Sequence, residues 1–212
     1  MKNFGKLAVL GAVLTASATF AHATLILDSN SSAVTLFADT GGITAGGAAV
    51  NLTTGLSPWV GPIGTSTWVG PEAGTSPGGL VIAPNGTYTY TSTFSALPGG
   101  DTGTIQVLAD DTTSVMLNTF LIVADASAVA APACTVGQPN CTAIASYFLP
   151  TADFLSGTNT LTFVVNQDFR GATGLDYEAT ITNVPEPSSL MLLGTGLMGA
   201  AGMLFRRRRQ TV

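Results

Sequence analysis

From Thr24 to Asn183 the apolar positions come in short runs broken by Gly, Pro, Asn and Asp, with no sustained helical spacing. The runs predicted as strands are Leu25–Leu27, Ala33–Phe37, Thr87–Phe94, Thr104–Ala109, Ser114–Leu117, Phe120–Val123, Ile144–Phe148, Thr160–Asn166 and Tyr177–Thr182. The alternation is clearest in Thr87–Phe94, where Thr87, Thr89, Thr91 and Thr93 share one face and Tyr88, Tyr90, Ser92 and Phe94 the other. The aromatic face is the predicted core. Nine short strands with turn residues between them predict an all-β fold, an antiparallel β-sandwich. Ala109-Asp110-Asp111-Thr112-Thr113, lying between two apolar runs, reads as a hairpin turn.

Two segments break this pattern, one at each end. Residues 1–23 combine Lys2 and Lys6 with an apolar stretch from Leu7 to Phe20 and then Ala21-His22-Ala23, the layout of a signal peptide helix cut before Thr24 by signal peptidase. Ser188–Phe205 is an uncharged, largely apolar run that as a helix would reach ~27 Å, enough for a membrane-spanning helix. Arg206, Arg207, Arg208 and Arg209 follow it and would hold that end in the cytoplasm, leaving the body on the far side of the membrane. Gly194, Thr195, Gly196, Gly199 and Gly202 keep the span only weakly hydrophobic, as suits a temporary anchor.

Pro185-Glu186-Pro187 stands directly before the span, and on physical grounds alone is a stiff, extended linker. The ordered set of Val184-Pro185-Glu186-Pro187-Ser188, Gly-rich apolar helix and terminal Arg cluster resembles the PEP-CTERM sorting signal. The resemblance implies recognition by an exosortase in a Gram-negative bacterium that makes extracellular polysaccharide. It further implies processing near Pro187 and then release to, or attachment at, the cell surface or biofilm matrix. The expected organisation is a signal peptide at 1–23, an extracellular domain at 24–183 and a sorting tail at 184–212.

Charge sharpens the picture. With Lys2, Lys6 and the four tail arginines set aside, Arg170 is the one basic residue of the body, against eleven carboxylates. Such a domain repels a phosphate backbone, so nucleic acid is excluded as a partner. The single histidine, His22, leaves with the leader, which excludes a Ser-His-Asp triad, a Cys-His pair and His-ligated metal in the mature body.

Parts of the body resemble galactose-binding-like, jelly-roll β-sandwich modules: Ala109-Asp110-Asp111 leading to Val115-Met116-Leu117-Asn118, then Phe154–Asn166 followed by Gly174-Leu175-Asp176-Tyr177. Thr119 departs from those modules, which usually carry Gly after the Asn. Asp110 and Asp111 are the most prominent acidic pair, but neighbours on an extended strand point to opposite faces and are expected to diverge rather than converge on a glycosidic bond. As hard oxygen ligands Asp101, Asp110, Asp111 and Asn118 offer a structural calcium site; capping a turn is the simpler role for the pair, and no metal or other cofactor is expected. Trp59-Val60-Gly61-Pro62 recurs as Trp68-Val69-Gly70-Pro71. An exposed Trp stacks on sugars, whereas a buried one fills the edge of a core, which is the commoner fate. Cys134 and Cys141 are expected to form a disulfide in an exported chain, worth roughly 2.5 kcal/mol for so small a ring.

The expected function is that of a non-catalytic surface or matrix protein, glycan-binding or structural and adhesive. The alternative is a secreted acid-type glycan hydrolase.

Overall fold

The computed structural model describes residues 23–30, 32, 35–39, 47–52, 59–74, 81–97, 100–125, 137–168, 170–183, 194–196, 198–199 and 201–202. The chain divides into two units, Thr24–Val184 and the two ends, Met1–Ala23 with Pro185–Val212. Of the ends, the described pieces 194–196, 198–199 and 201–202 are helical and exposed, and among the described residues no helix is long and apolar enough to cross a membrane.

The body is built of antiparallel strands: β1 (Thr24–Asp28), β2 (Thr35–Asp39), β3 (Gly47–Ala48), β4 (Val50–Asn51), β5 (Val69–Gly70), β6 (Val81–Ile82), β7 (Gly86–Ser95), β8 (Asp101–Asp110), β9 (Thr112–Leu117), β10 (Phe120–Val123), β11 (Ala145–Leu149), β12 (Thr158–Gln167) and β13 (Ala172–Asn183). One sheet has the order β11-β8-β13-β5-β4, with β1 and β6 also paired to β13. The other has the order β10-β9-β12-β7-β2-β3. Every predicted run has a counterpart here. The two-residue strands β3 to β6 had no signal in the sequence, being too short to show a period.

The core lies between the sheets. On the second sheet Tyr88, Tyr90 and Phe94 of β7 face inward with Leu161, Phe163 and Val165 of β12 and Val115 and Leu117 of β9, all buried. The alternation in Thr87–Phe94 therefore marks the inner face as expected. On the first sheet Ile105, Val107 and Ala109 pair in register with Ala179, Tyr177 and Leu175. The Phe163 and Tyr177 rings stack across the interior, centroids 4.5 Å apart at 26°.

The outer face of the first sheet is also buried over β8 and β13. Leu108, Asp110, Gly174 and Asp176 alternate with the core residues, so they point away from the core, and the three with side chains are nearly or fully buried. They are covered by the stretch 59–68, which carries Trp59, Ile63 and Trp68. A buried indole removes about 200 Å² from water, a gross gain of roughly 5 kcal/mol, which is why a stretch without regular structure stays on the sheet.

The predicted hairpin at Ala109–Thr113 is corrected. β8 pairs with β11 and β13, β9 with β10 and β12, so the link at Asp111 passes from one sheet to the other. The tight hairpin is one step later, between β9 and β10, where Leu117 pairs with Phe120. Asn118 takes φ 56° there, and the left-handed position falls on a residue type that tolerates it. Gly is therefore not required at Thr119.

Candidate functional site

Asp110 ends β8, and Asp111 forms the corner to β9. The peptide bond between them is cis, and the two carboxyl groups lie close enough to act on each other. This corrects the expected divergence: alternation holds along an extended strand, and Asp111 lies outside both strands. Trp59 Nε1–H donates to Asp110 Oδ2 at 2.5 Å. The Asp168 backbone N–H, in the β12–β13 connection, donates to Asp111 Oδ2 at 2.8 Å. Burial pushes the Asp110 carboxyl up to about 8, against the lowering effect of the Trp59 hydrogen bond. Burial raises Asp111 as well.

A second buried carboxylate was missed in the sequence. Asp176, on β13, is fully buried and accepts hydrogen bonds from Ser29 Oγ at 2.8 Å, from the Ile63 backbone N–H at 3.0 Å and from Ser66 Oγ. It ties the end of β1 and the turn at 63–66 to the sheet. Burial raises its pKa while the three donors oppose the shift. The only local signal was an acid between two apolar residues in a strand, and nothing in the sequence tells which distant hydroxyls it meets.

Trp59 and Trp68 are both buried, at 7% and 0% exposure, and stack on each other. Burial, the commoner fate, is the outcome for both: they are core residues of the outer layer. Trp68 Nε1–H is used as well, donating to the Val60 carbonyl at 3.2 Å.

The candidate calcium ligands are not brought together. Asp101 and Asp110 stand at opposite ends of the ten-residue strand β8, ~30 Å apart at the rise of a β-strand. Asp101 accepts from the Leu97 backbone N–H. Asn118 joins Asn159, its Nδ2–H donating to Asn159 Oδ1 at 2.9 Å and to the Asp153 carbonyl at 2.8 Å, while Asn118 Oδ1 accepts from the Thr160 N–H at 3.0 Å. This amide pair locks the β9–β10 hairpin to the connection before β12.

Cys141 is fully buried and is not a free thiol. Cys134 lies outside the described residues, as do Lys2, Lys6, Ala21 and His22 in the leader; Ala23 and Thr24 are described, with Thr24 opening β1. In the tail, Pro185, Glu186, Pro187 and Arg206 to Arg209 also lie outside them.

The family model for the PEP-CTERM protein-sorting motif matches residues 183–209, from the last residue of β13 to the fourth arginine. The tail is a PEP-CTERM sorting signal. A PEP-CTERM tail implies an exported protein, sorted by an exosortase and held in the membrane for a time before reaching the cell surface.

No curated protein matches the chain. Among solved structures it is similar to an FMN-binding beta-glucuronidase from Facaelibacterium prausnitzii L2-6, at 16% identity and a TM-score of 0.44, over 77% of this chain and 23% of that one. The chain thus spans less than a quarter of that enzyme. It is also similar to a family 35 carbohydrate binding module from Clostridium thermocellum, at 10% identity and a TM-score of 0.33, over 74% of this chain and 97% of that one.

Proposed function

We propose that this protein is made with a signal peptide at 1–23, exported, held by a membrane-spanning helix at 188–205 with Arg206 to Arg209 as its stop, and processed by an exosortase at Pro185-Glu186-Pro187. The mature domain is then a non-catalytic component of the cell surface or of an extracellular polysaccharide matrix. The match of residues 183–209 to the sorting motif carries this reading. In a host with the exosortase, Glu186→Ala is expected to leave unprocessed protein in the membrane, with the apolar span and its arginines intact. Normal processing of that variant would reduce the motif to a linker.

The body is proposed to be a jelly-roll, galactose-binding-like sandwich that binds glycan or serves as a structural part of the coat. The most prominent acidic pair is tied up internally, Asp110 by Trp59 and Asp111 by the Asp168 backbone, which favours a non-catalytic role over acid-type hydrolysis. With both Trp residues buried, the exposed Asn85, Asp168 and Arg170 are, among the described residues, polar groups at this end of the sandwich that could meet sugar hydroxyls. Glycan-array binding lost in Arg170→Ala would support them, and turnover of a polysaccharide would overturn the non-catalytic reading. A second reading, self-association through sheet edges, is favoured by the exposed Phe120 and Leu121 on edge strand β10 and Phe148 on edge strand β11. Concentration-dependent sedimentation, abolished by Phe148→Lys, is its test.

A further inference from the structure

Most edge strands of the sandwich are blunted. Strands β3, β4 and β6 have two residues each, β10 carries a register shift between Leu121 and Val123, and β1 ends in Asp28 beside Glu178. The exception is β11. Its five residues, Ala145–Leu149, pair without a break with residues 103–107 of β8, and no described strand pairs with its other side. Neither β11 nor that stretch of β8 carries a charge, in a body with eleven carboxylates and one arginine. Apolar side chains gather on the same side, where β10, the edge of the second sheet, approaches β11. Phe120 and Leu121 on β10, Ile144 directly before β11, Phe148 on it and Leu155 beside the β9–β10 hairpin are all exposed, Leu121 and Phe148 at 62%. Among the described residues of the body, the only other exposed large apolar side chains are Ile26 and Ile82.

We propose that β11 is a dimerisation edge, on which the β11 of a second copy pairs antiparallel about a two-fold axis at Tyr147, joining the first sheets of the two copies into one. This rests on the second reading above, self-association through sheet edges, and adds the strand, the partner and the register. A two-fold pair of identical strands is antiparallel by symmetry, and it meets the free backbone groups of one edge with those of the other. Centred on Tyr147, it sets Ala145 opposite Leu149 and Ser146 opposite Phe148 of the second copy, the one centre that pairs all five residues. Side chains keep their faces across the join. Phe148 therefore gains Phe148 and Ile144 of the second copy as diagonal neighbours, within reach of an aromatic ring. Charge favours a second copy as the occupant, because two such acidic bodies repel each other elsewhere and the β11 edge itself brings no carboxylate to the join. The five exposed side chains present on the order of 400 Å² of apolar surface. Two such patches with their backbone edges reach about 1,000 Å², the lower end for a specific interface, so the dimer is a weak one.

The test combines sedimentation of the full chain in detergent, over a range of concentrations, with crosslinking by a short thiol-to-thiol reagent. Tyr147→Cys sets its thiol opposite that of the second copy, ~5 Å apart at Cβ, and is expected to crosslink as a dimer. Thr104→Cys, one strand further in on β8, stands three strand spacings from its counterpart, ~14 Å or more, and is expected not to. Phe148→Lys is expected to raise the dimer Kd about 30-fold or more, as loss of a central anchor does. A chain that stays monomeric at every concentration, or a dimer that Phe148→Lys leaves intact, removes edge association and this inference together. A dimer that Phe148→Lys dissociates and Tyr147→Cys does not crosslink keeps edge association and overturns the two-fold pair at Tyr147. A monomer whose glycan-array binding is lost in Phe148→Ala makes the patch a sugar platform, which also overturns the dimer. If Tyr147→Cys fails to fold by circular dichroism, Ser146→Cys mixed with Phe148→Cys tests the same register. A mixed crosslink stronger than either variant forms alone supports it, and its absence overturns it.

Discussion

Trp59 and Trp68 lie face to face, ring centroids 4.1 Å apart and 23° from parallel, on a strand position that has no side chain. That position is Gly174. The repeated Trp-Val-Gly-Pro tetrapeptide is thus a device for placing two indoles on the same patch of sheet. The patch lies beside the polar corner, because Gly174 is the register partner of Asp110.

A Cβ at Gly174 would stand 2.6 Å from the Trp59 ring and 3.1 Å from Trp68. Both rings are held by their N–H groups and cannot slide away freely. Gly174→Ala is expected to destabilise the domain by about 2 kcal/mol, in the range of overpacked cores. A lower denaturation midpoint in urea, with altered indole emission before unfolding, checks this; an unchanged midpoint would show that the layer yields easily.

Asp176→Ala leaves the Ser29 and Ser66 hydroxyls and the Ile63 N–H facing a buried void. Each buried donor left unpaired costs roughly 1–3 kcal/mol, so the variant is expected to lose about 3 kcal/mol or more. Asp176→Asn, which keeps one acceptor oxygen, should lose less. Equal losses for the two would mean that shape rather than hydrogen bonding matters at this position.

Stability should fall as pH rises. The folded-state pKa values of Asp110, Asp111 and Asp176 are all raised from the ordinary 3.8, so the folded state holds protons that the unfolded chain has released. Their contribution is fully present below about 3.8 and is lost progressively up to about 8, the value reached by Asp110. Urea midpoints measured between pH 5 and pH 8.5, as about the accessible window, are expected to decline for the natural protein and to decline less for Asp110→Asn. A midpoint that rises with pH would contradict the assignment.

Exported protein is expected to begin at Thr24 and to carry a bond between Cys134 and Cys141. Intact mass before and after reduction, with alkylation at each stage, reads both. Two alkylated cysteines without reduction would remove the disulfide, and an N-terminus more than a residue or two from Thr24 would remove the assigned cleavage site.

The sorting tail was legible because its signal is local and one-dimensional. Pro185-Glu186-Pro187 before an uncharged run and four arginines depends on order along the chain and not on what folds against what. The inner face of Tyr88, Tyr90 and Phe94 was legible for a related reason, since alternation along one strand assigns faces without reference to a partner. The sequence also determined the acidity of the body. Only the tertiary structure decided that Asp110 and Asp111 converge, because the link between them turns from one sheet to the other and the rule of alternation stops at the end of β8. It alone decided that Asp176 is a hub, since its donors come from Ser29, Ile63 and Ser66, more than a hundred residues away in sequence. It alone buried Trp59 and Trp68 on Gly174. Burial of a loop on the outer face of a sheet leaves no period in the sequence, because the covering stretch has no repeat of its own and the covered strand is then apolar on both sides.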